Sequence, residues 1–228
     1  MIFVTGDTHG TVDYGKIMSI SAKYPSLTRD DHVIIAGDFG AVWRETTLSL
    51  DLKPFTKLKY TVLFVDGNHE NFDLLDSFEV KEWHGGKVHI VAPNIIHLMR
   101  GQIYEIEGKT FFTFGGATSV DKIWRREGIS WWRQEVPSYL EMEEGIANLK
   151  KAGNKVDYII THSCDESALS LGPLATRDFQ TDLYPENEML SYFEENVEYK
   201  RWYFGHYHLD ADLNDKKTVL YNTYRIIE

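Results

Sequence analysis

The stretch Val33-Ile34-Ile35-Ala36-Gly37-Asp38 decides the fold. Four apolar residues run into a glycine and then a carboxylate. A run this short, closed by glycine, predicts a strand buried on both faces, with its last residue emerging at the C-terminal edge of a sheet. The same grammar appears upstream in Met1-Ile2-Phe3-Val4-Thr5-Gly6-Asp7-Thr8-His9 and downstream in Val62-Leu63-Phe64-Val65-Asp66-Gly67-Asn68-His69. Asp7, Asp38 and Asn68 are 31 and 30 residues apart, close to the roughly 30 residues of one strand–helix–strand unit. Three parallel strands would thus carry three oxygen donors to one sheet edge, where open α/β sheets place their sites. Asp38, in the middle, is the expected central ligand, reached by metals on both sides.

Composition sets the outer limits. The 228 residues are 43% hydrophobic and 14% aromatic, which predicts one sizeable globular core, read as a single domain over 1–228. No apolar run has membrane-spanning length, and Met1 leads directly into the first strand, so neither membrane insertion nor a removable leader is expected. The single cysteine, Cys164, fits a reducing compartment, and the expected location is cytoplasmic. A net charge of −11 without a lysine/arginine tract disfavours loose binding to nucleic acid or anionic membrane.

Along the chain, Asp13 is placed to cap a helix carrying Ile17, Ile20 and Tyr24 and ended by Pro25. Residues 45–58 have helical spacing broken by Pro54, and a short helix is expected over 71–78. Short alternating runs at 89–91, 95–99, 102–107 and 110–114 predict antiparallel hairpins and a second sheet. Ser138 and Glu141 form a capping box before Met142, Ile146 and Leu149. Residues 158–161 repeat the opening pattern and end at His162. A helix over 186–198 sets its glutamates on a face read as solvated, and the end of the chain is β again.

The candidate ligands, each just past an apolar run, are Asp7, His9, Asp38, Asn68, His162, His206 and His208. Asp-x-His and His-x-His put two donors on one face of an extended segment, because side chains there alternate. Carboxylate and amide oxygen mixed with imidazole suits manganese, iron or zinc better than calcium, and the lack of thiolates argues against a structural zinc site. Two such ions about 3.5–4 Å apart are the usual device for activating water and clamping a phosphoryl group.

Gly6-Asp7-Thr8-His9-Gly10, Gly37-Asp38, Gly67-Asn68-His69-Glu70, Thr161-His162 and Gly205-His206-Tyr207-His208 together resemble the signature blocks of the calcineurin-like metallophosphoesterase superfamily. All five stand in the family's order. The resemblance implies an α/β fold, a four-layer α/β/β/α sandwich of two mixed sheets with helices on the outer faces. It also implies hydrolysis of a phosphomonoester or phosphodiester by in-line attack of a hydroxide activated at a dinuclear centre. The cofactors implied are two divalent or mixed-valence transition-metal ions, manganese or iron first and zinc third. One ion would take Asp7, His9, Asp38 and His208; the other would take Asp38, Asn68, His162 and His206, with Asp38 bridging. His69 would be the catalytic residue that approaches the phosphate and helps the leaving group depart. Many members carry a second carboxylate in Gly-Asp-x-x-Asp that supports this histidine. Here that position is Ala41, so support must come from elsewhere, with Asp66 and Glu70 nearest in sequence.

His32, His84, His89 and His97 fall in no motif and are read as structural, as is the buried thiol of Cys164. Gly115 to Ser119 lacks a following lysine and is read as a turn at the sheet edge. Residues 121–133 hold Lys122, Arg125, Arg126 and Arg133 against Asp121 and Glu127, a local surplus of two positive charges, together with Trp124, Trp131 and Trp132. Arginine beside exposed aromatics suits a phosphorylated group on a flat ring. Arg125, Arg126 and, beside Trp43, Arg44 are therefore the candidate substrate contacts. The expected partner is a small phosphorylated compound, with phosphoprotein next and nucleic acid after it. A nuclease and a non-catalytic metal-binding scaffold are the alternative functions.

Overall fold

The computed structural model describes residues 1–176 and 183–227. The first sheet contains β1 (Ile2–Thr5), β2 (His32–Ile35), β3 (Thr61–Phe64), β4 (Val80–Trp83), β5 (Gly86–Ala92), β6 (Ile95–Leu98) and β13 (Tyr224–Ile227), in the order β13-β1-β2-β3-β6-β5-β4. The second contains β7 (Gln102–Ile106), β8 (Lys109–Phe114), β9 (Tyr158–Thr161), β10 (Arg201–Phe204), β11 (Ala211–Asp212) and β12 (Lys217–Val219), in the order β11-β12-β10-β9-β8-β7. Each sheet has a parallel centre: β1-β2-β3-β6 in the first, and β12-β10-β9-β8 in the second. Its edges are antiparallel, so both sheets are mixed.

Side-chain alternation builds the layers. Along β1 to β3, Phe3, Val33, Ile35, Val62 and Phe64 enter one buried cluster with Ile17 and Ile20 of α1 (Gly15–Lys23). Their neighbours Ile2, Val4, Ile34, Leu63 and Val65 enter a second cluster, shared with Phe111, Ile160 and Tyr203 of the other sheet. Phe112, Phe114, Ile159, Trp202 and Phe204 then face a third cluster, with α5 (Tyr139–Lys151) and α7 (Pro185–Asn196). Two of the three clusters thus set helices against a sheet and the remaining one is shared by both sheets, and strands buried on both faces explain the unbroken apolar runs. Among the described residues no helix is long and apolar enough to cross a membrane.

Several local expectations need correction. The β5–β6 hairpin joins the first sheet rather than starting the second, because β6 pairs in parallel with β3. Only β7 and β8 open the second sheet as a hairpin. Residues 45–58 are broken as expected, into a 3₁₀ turn, α2 (Leu48–Asp51) and α3 (Lys53–Thr56), although Pro54 sits in the first turn of α3 rather than at the break itself. Tyr14, not Asp13, is the N-cap of α1. Asn71 does cap the short α4 (Phe72–Leu75), and the Ser138–Glu141 capping box is present. Glu186, read as part of a solvated face, is buried: its carboxylate accepts from the Thr118 N–H at 2.7 Å and the Thr118 hydroxyl at 2.8 Å. The remaining short helix, α6 (Glu166–Leu169), follows the loop after β9.

Candidate metal and phosphate site

The parallel ends of both sheets meet at one edge, and each sheet sends donors into the same space. Asp7, Asp38 and Asn68 follow β1, β2 and β3; His162 follows β9, and His206 and His208 follow β10. The seam is closed by direct bonds between sheets. The His206 N–H donates to Asp7 Oδ1 at 3.0 Å, and His162 Nδ1 donates to the Ala36 carbonyl at 2.9 Å. That second bond leaves His162 Nε2 facing inward, 3.3 Å from Asp38 Oδ1 and 3.2 Å from Asn68 Oδ1. His9 Nε2 stands 3.2 Å from Asp38 Oδ2, and His208 Nε2 stands 3.3 Å from Asp7 Oδ2. The two oxygens of Asp38 therefore face two different histidines.

Three groups bring candidate ligand atoms within 4.8 Å of one another: Asp7 with His9 and His208, His9 with Asp38 and His69, and Asp7 with Asp38 and His162. Asn68 lies against the third group through His162. His206 packs beside His162, with ring centres 5.0 Å apart. All seven sequence-nominated ligands thus lie around one centre. Two buried features fit a cation there. Asp7 Oδ2 is buried and completes no well-formed hydrogen bond among the described residues, with His208 Nε2 near it at 3.3 Å. At Gly67 a Cβ would come within 2.1 Å of Asp38 Oδ1, and at Gly205 within 2.1 Å of Asp7 Oδ1. The chain needs glycine at these two positions because the carboxylates press against its backbone.

The backbone is also strained at this edge. His9, Asp38, His206 and His208 have φ of 44°, 49°, 66° and 49°, making four of the seven described non-glycine residues in the left-handed region candidate ligands. Each such residue costs about 1–3 kcal/mol, and the surrounding packing must hold it. The carboxylates and imidazoles here stabilise one another's charge. Burial opposes charge on the carboxylates, yet His208 and His162 hold Asp7 below the usual carboxylate range, and His162 and His9 hold Asp38 well below it. Burial likewise opposes charge on His9 and His162, but Asp38 raises them to about 9 and about 10. His206, pushed down to about 3 by burial and then by His162, is a neutral imidazole at physiological pH.

Beside the centre lies a cavity of about 530 Å³ lined by Asp38, Asn68, His69, Arg125, Leu169 and Tyr207. His69 meets an arginine there rather than a carboxylate. The Arg125 guanidinium donates to His69 Nε2 at 3.1 Å, and its Nε donates to Asp121 at 2.8 Å. Burial lowers the His69 pKa, with Arg125 pushing in the same direction against the opposing charge of Asp38. The carboxylates nearest in sequence are engaged elsewhere. Asp66 binds Arg100 and His97, while Glu70 accepts from the Gly40 N–H at 3.2 Å.

Residues 121–133 divide sharply. Arg125 enters the cavity, whereas Arg126 is exposed and lines neither it nor the neighbouring cavity of about 320 Å³. Arg44 lines that second cavity with His9 and Trp43. Trp132 is buried, set edge-to-face on Trp43, and its indole N–H donates to Asp73 at 2.7 Å; Trp124 is 85% exposed. Arg133 pairs with Glu127 on the surface. Sequence reasoning missed Ser119, whose hydroxyl accepts from Asn68 Nδ2 at 3.2 Å and donates to Glu135 at 2.9 Å. This contact turns the Asn68 carbonyl oxygen toward the centre. Its only sequence signal was the small-residue run before it.

Two mixed sheets whose parallel strand ends converge on carboxylate, amide and imidazole donors define an α/β architecture built around candidate metal-ligand groups. The chain belongs to the calcineurin-like phosphoesterase family, whose model matches residues 1–210. Among solved structures it resembles a Staphylococcus aureus protein assigned as a candidate 5'-nucleotidase, determined with alpha-ketoglutarate. That likeness has 14% identity and a TM-score of 0.50, covering 96% of this chain and 47% of that one. The chain thus spans about half the length of that structure. It also resembles the phosphopantetheinyl hydrolase PptH of Mycobacterium tuberculosis, with 16% identity, a TM-score of 0.42, and 97% and 89% of the two chains covered. No curated protein sequence matches.

Proposed function

We propose that the chain is a dinuclear metallophosphoesterase that hydrolyses a phosphomonoester or phosphodiester of a small phosphorylated compound. The observation that carries this reading is the orientation of Asp38, whose Oδ1 faces His162 at 3.3 Å while Oδ2 faces His9 at 3.2 Å. Such a carboxylate would offer one oxygen to each of two cations. Asp7, His9, Asp38 and His208 would hold one ion; Asp38, Asn68, His162 and His206 would hold the other. The oxygen and imidazole donors favour manganese or iron, with zinc third. When bound, two such ions neutralise charge on phosphoryl oxygens and make a water acidic enough to attack phosphorus.

The remaining work falls to the chain's own side chains. Arg125 offers guanidinium donors to a phosphate in the cavity, anchored from behind by Asp121. A guanidinium has only donors, so His69 Nε2 is the acceptor of their contact. A phosphate that takes over the guanidinium would free the Nε2 lone pair to take a proton from water, and the protonated His69 would then be the donor or stabiliser for the leaving oxygen. Arg125, the arginine that lines the cavity among the described residues, in a chain of net charge −11 supports a small substrate over polymeric nucleic acid.

The test is a panel of phosphomonoesters, phosphodiesters, nucleotides, phosphopeptides and nucleic acid, run on protein reconstituted with manganese. Asp38→Asn should lose bound metal and turnover together, because a neutral amide bridges two cations poorly. Unchanged metal content by mass spectrometry in that variant would remove Asp38 from the bridging role. Absence of turnover across the panel would favour the scaffold alternative.

A further inference from the structure

We propose that Asp13 and Tyr221 are positioning residues for one metal subsite, fixing His9 and His208 at the angle and tautomer that a metal ion requires. This rests on the metal-binding reading above. The inner ligands are held by buried structure: His162 by the Ala36 carbonyl and Asn68 by Ser119. His208 lies at the solvent rim, its side chain 49% exposed, and His9 is half-buried beside it at 17%, so packing alone does not fix which ring nitrogen each presents.

Asp13 supplies what packing does not. Its Oδ2 accepts the Nδ1 proton of His9 at 2.7 Å, leaving His9 Nε2, 3.2 Å from Asp38 Oδ2, as the ring atom directed inward that a metal ion would take. A carboxylate behind a metal-binding imidazole fixes the tautomer and raises ligand basicity. Tyr221 holds the other ring: it stacks on His208 at 4.5 Å with planes 7° apart. The two supports form one unit through the rings they hold, since His9 and His208 themselves meet edge-to-face at 5.2 Å and lie with Asp7 within 4.8 Å at their ligand atoms.

The unit is tied to the frame on both sides. The Asp13 N–H donates to the Thr8 carbonyl at 3.0 Å. Asp210 accepts the backbone N–H groups of Tyr221, Asn222 and Thr223 at 2.8, 3.0 and 3.0 Å. Lys16 donates to the carbonyls of both Asp7 and Tyr221. These contacts explain why Asp13, suited by type to cap α1, leaves that position to Tyr14.

The experiment is calorimetric titration of the metal-stripped full chain with Mn²⁺. The wild type should bind two ions. Asp13→Ala should weaken one of them about 10- to 100-fold and leave the other unchanged. Asp13→Asn should recover most of the loss, because its amide oxygen still accepts from His9. Tyr221→Ala should weaken the same ion, and the metal-free melting temperature of each variant should stay near that of the wild type. Wild-type binding at both sites in Asp13→Ala and Tyr221→Ala would overturn the proposal. So would equal weakening of both ions with a lowered metal-free melting temperature, which marks a general structural role. A wild type that binds no Mn²⁺ would instead sink the metal reading on which the proposal stands.

Discussion

Replacing Gly67 with alanine probes how tightly the Asp38 carboxylate is held. Its new Cβ would stand 2.1 Å from Asp38 Oδ1, 2.4 Å from the Asp38 backbone nitrogen and 2.8 Å from His162 Nε2. Ordinary contact distances are about 3.5 Å, so a displacement of roughly 1 Å is needed. Rotating the Asp38 side chain does not relieve it, because one of the crowded atoms is main chain. Overpacking of this kind costs about 1–3 kcal/mol, and at this chain length each kcal/mol lowers the melting temperature by about 2–4 °C. A misplacement near 1 Å costs about 100-fold in rate. The assay compares Gly67→Ala with Gly15→Ala, whose Cβ would meet nothing within 4 Å. Metal-free melting, manganese content and kcat/KM on p-nitrophenyl phosphate are measured for both. Gly67→Ala should lose metal and rate, while Gly15→Ala should keep both. Full manganese content with a rate within threefold of wild type in Gly67→Ala would refute the reasoning.

Other expectations separate the residues around the cavity. Arg125→Ala should lower kcat/KM about 10- to 100-fold with metal content intact, the loss of one or two charge-assisted bonds, while exposed Arg126→Ala should stay within twofold; equal effects would refute the assignment. His69→Asn should keep its metals and lose about 100- to 10,000-fold in rate, more on phenyl phosphate than on p-nitrophenyl phosphate; matching losses would exclude the proton-donor role. His89 is buried against His97, with Asp66 beyond, and burial and then His97 push its imidazole down to about 4. The unfolded chain takes up that proton near pH 6.5 and the folded one does not, so this contribution is complete above about 6.5 and lost as pH falls toward 4. Discounted for residual water access, the loss is about 1–2 kcal/mol, and His89→Gln should flatten the stability curve over that range. An unchanged slope in urea titrations would refute it.

How much was legible depended on whether the controlling contact is local. The apolar runs before Asp7, Asp38, Asn68, His162 and His206 identified buried parallel strands, since burial on both faces demands continuous hydrophobicity. Their Gly-Asp, Gly-Asn and His-x-His endings nominated the ligands, because short-range backbone geometry dictates where such side chains emerge. The Ser138–Glu141 capping box was equally readable, being closed within three residues.

Contacts between distant segments were not readable. The β5–β6 hairpin could pair with either sheet until β3 was in place, and Glu186 reads as solvated until Thr118 lies against it. Asp13 looks like a cap until the left-handed turn at His9 brings an imidazole to its carboxylate. Arg125 and Arg126 are indistinguishable by charge, and only the path of the loop aims one at His69 and the other at water. The sequence by itself determined which residues stand at strand ends and what chemistry they offer. Tertiary structure alone decided which of them face one another, because two sheets must pack before their edges can share a centre.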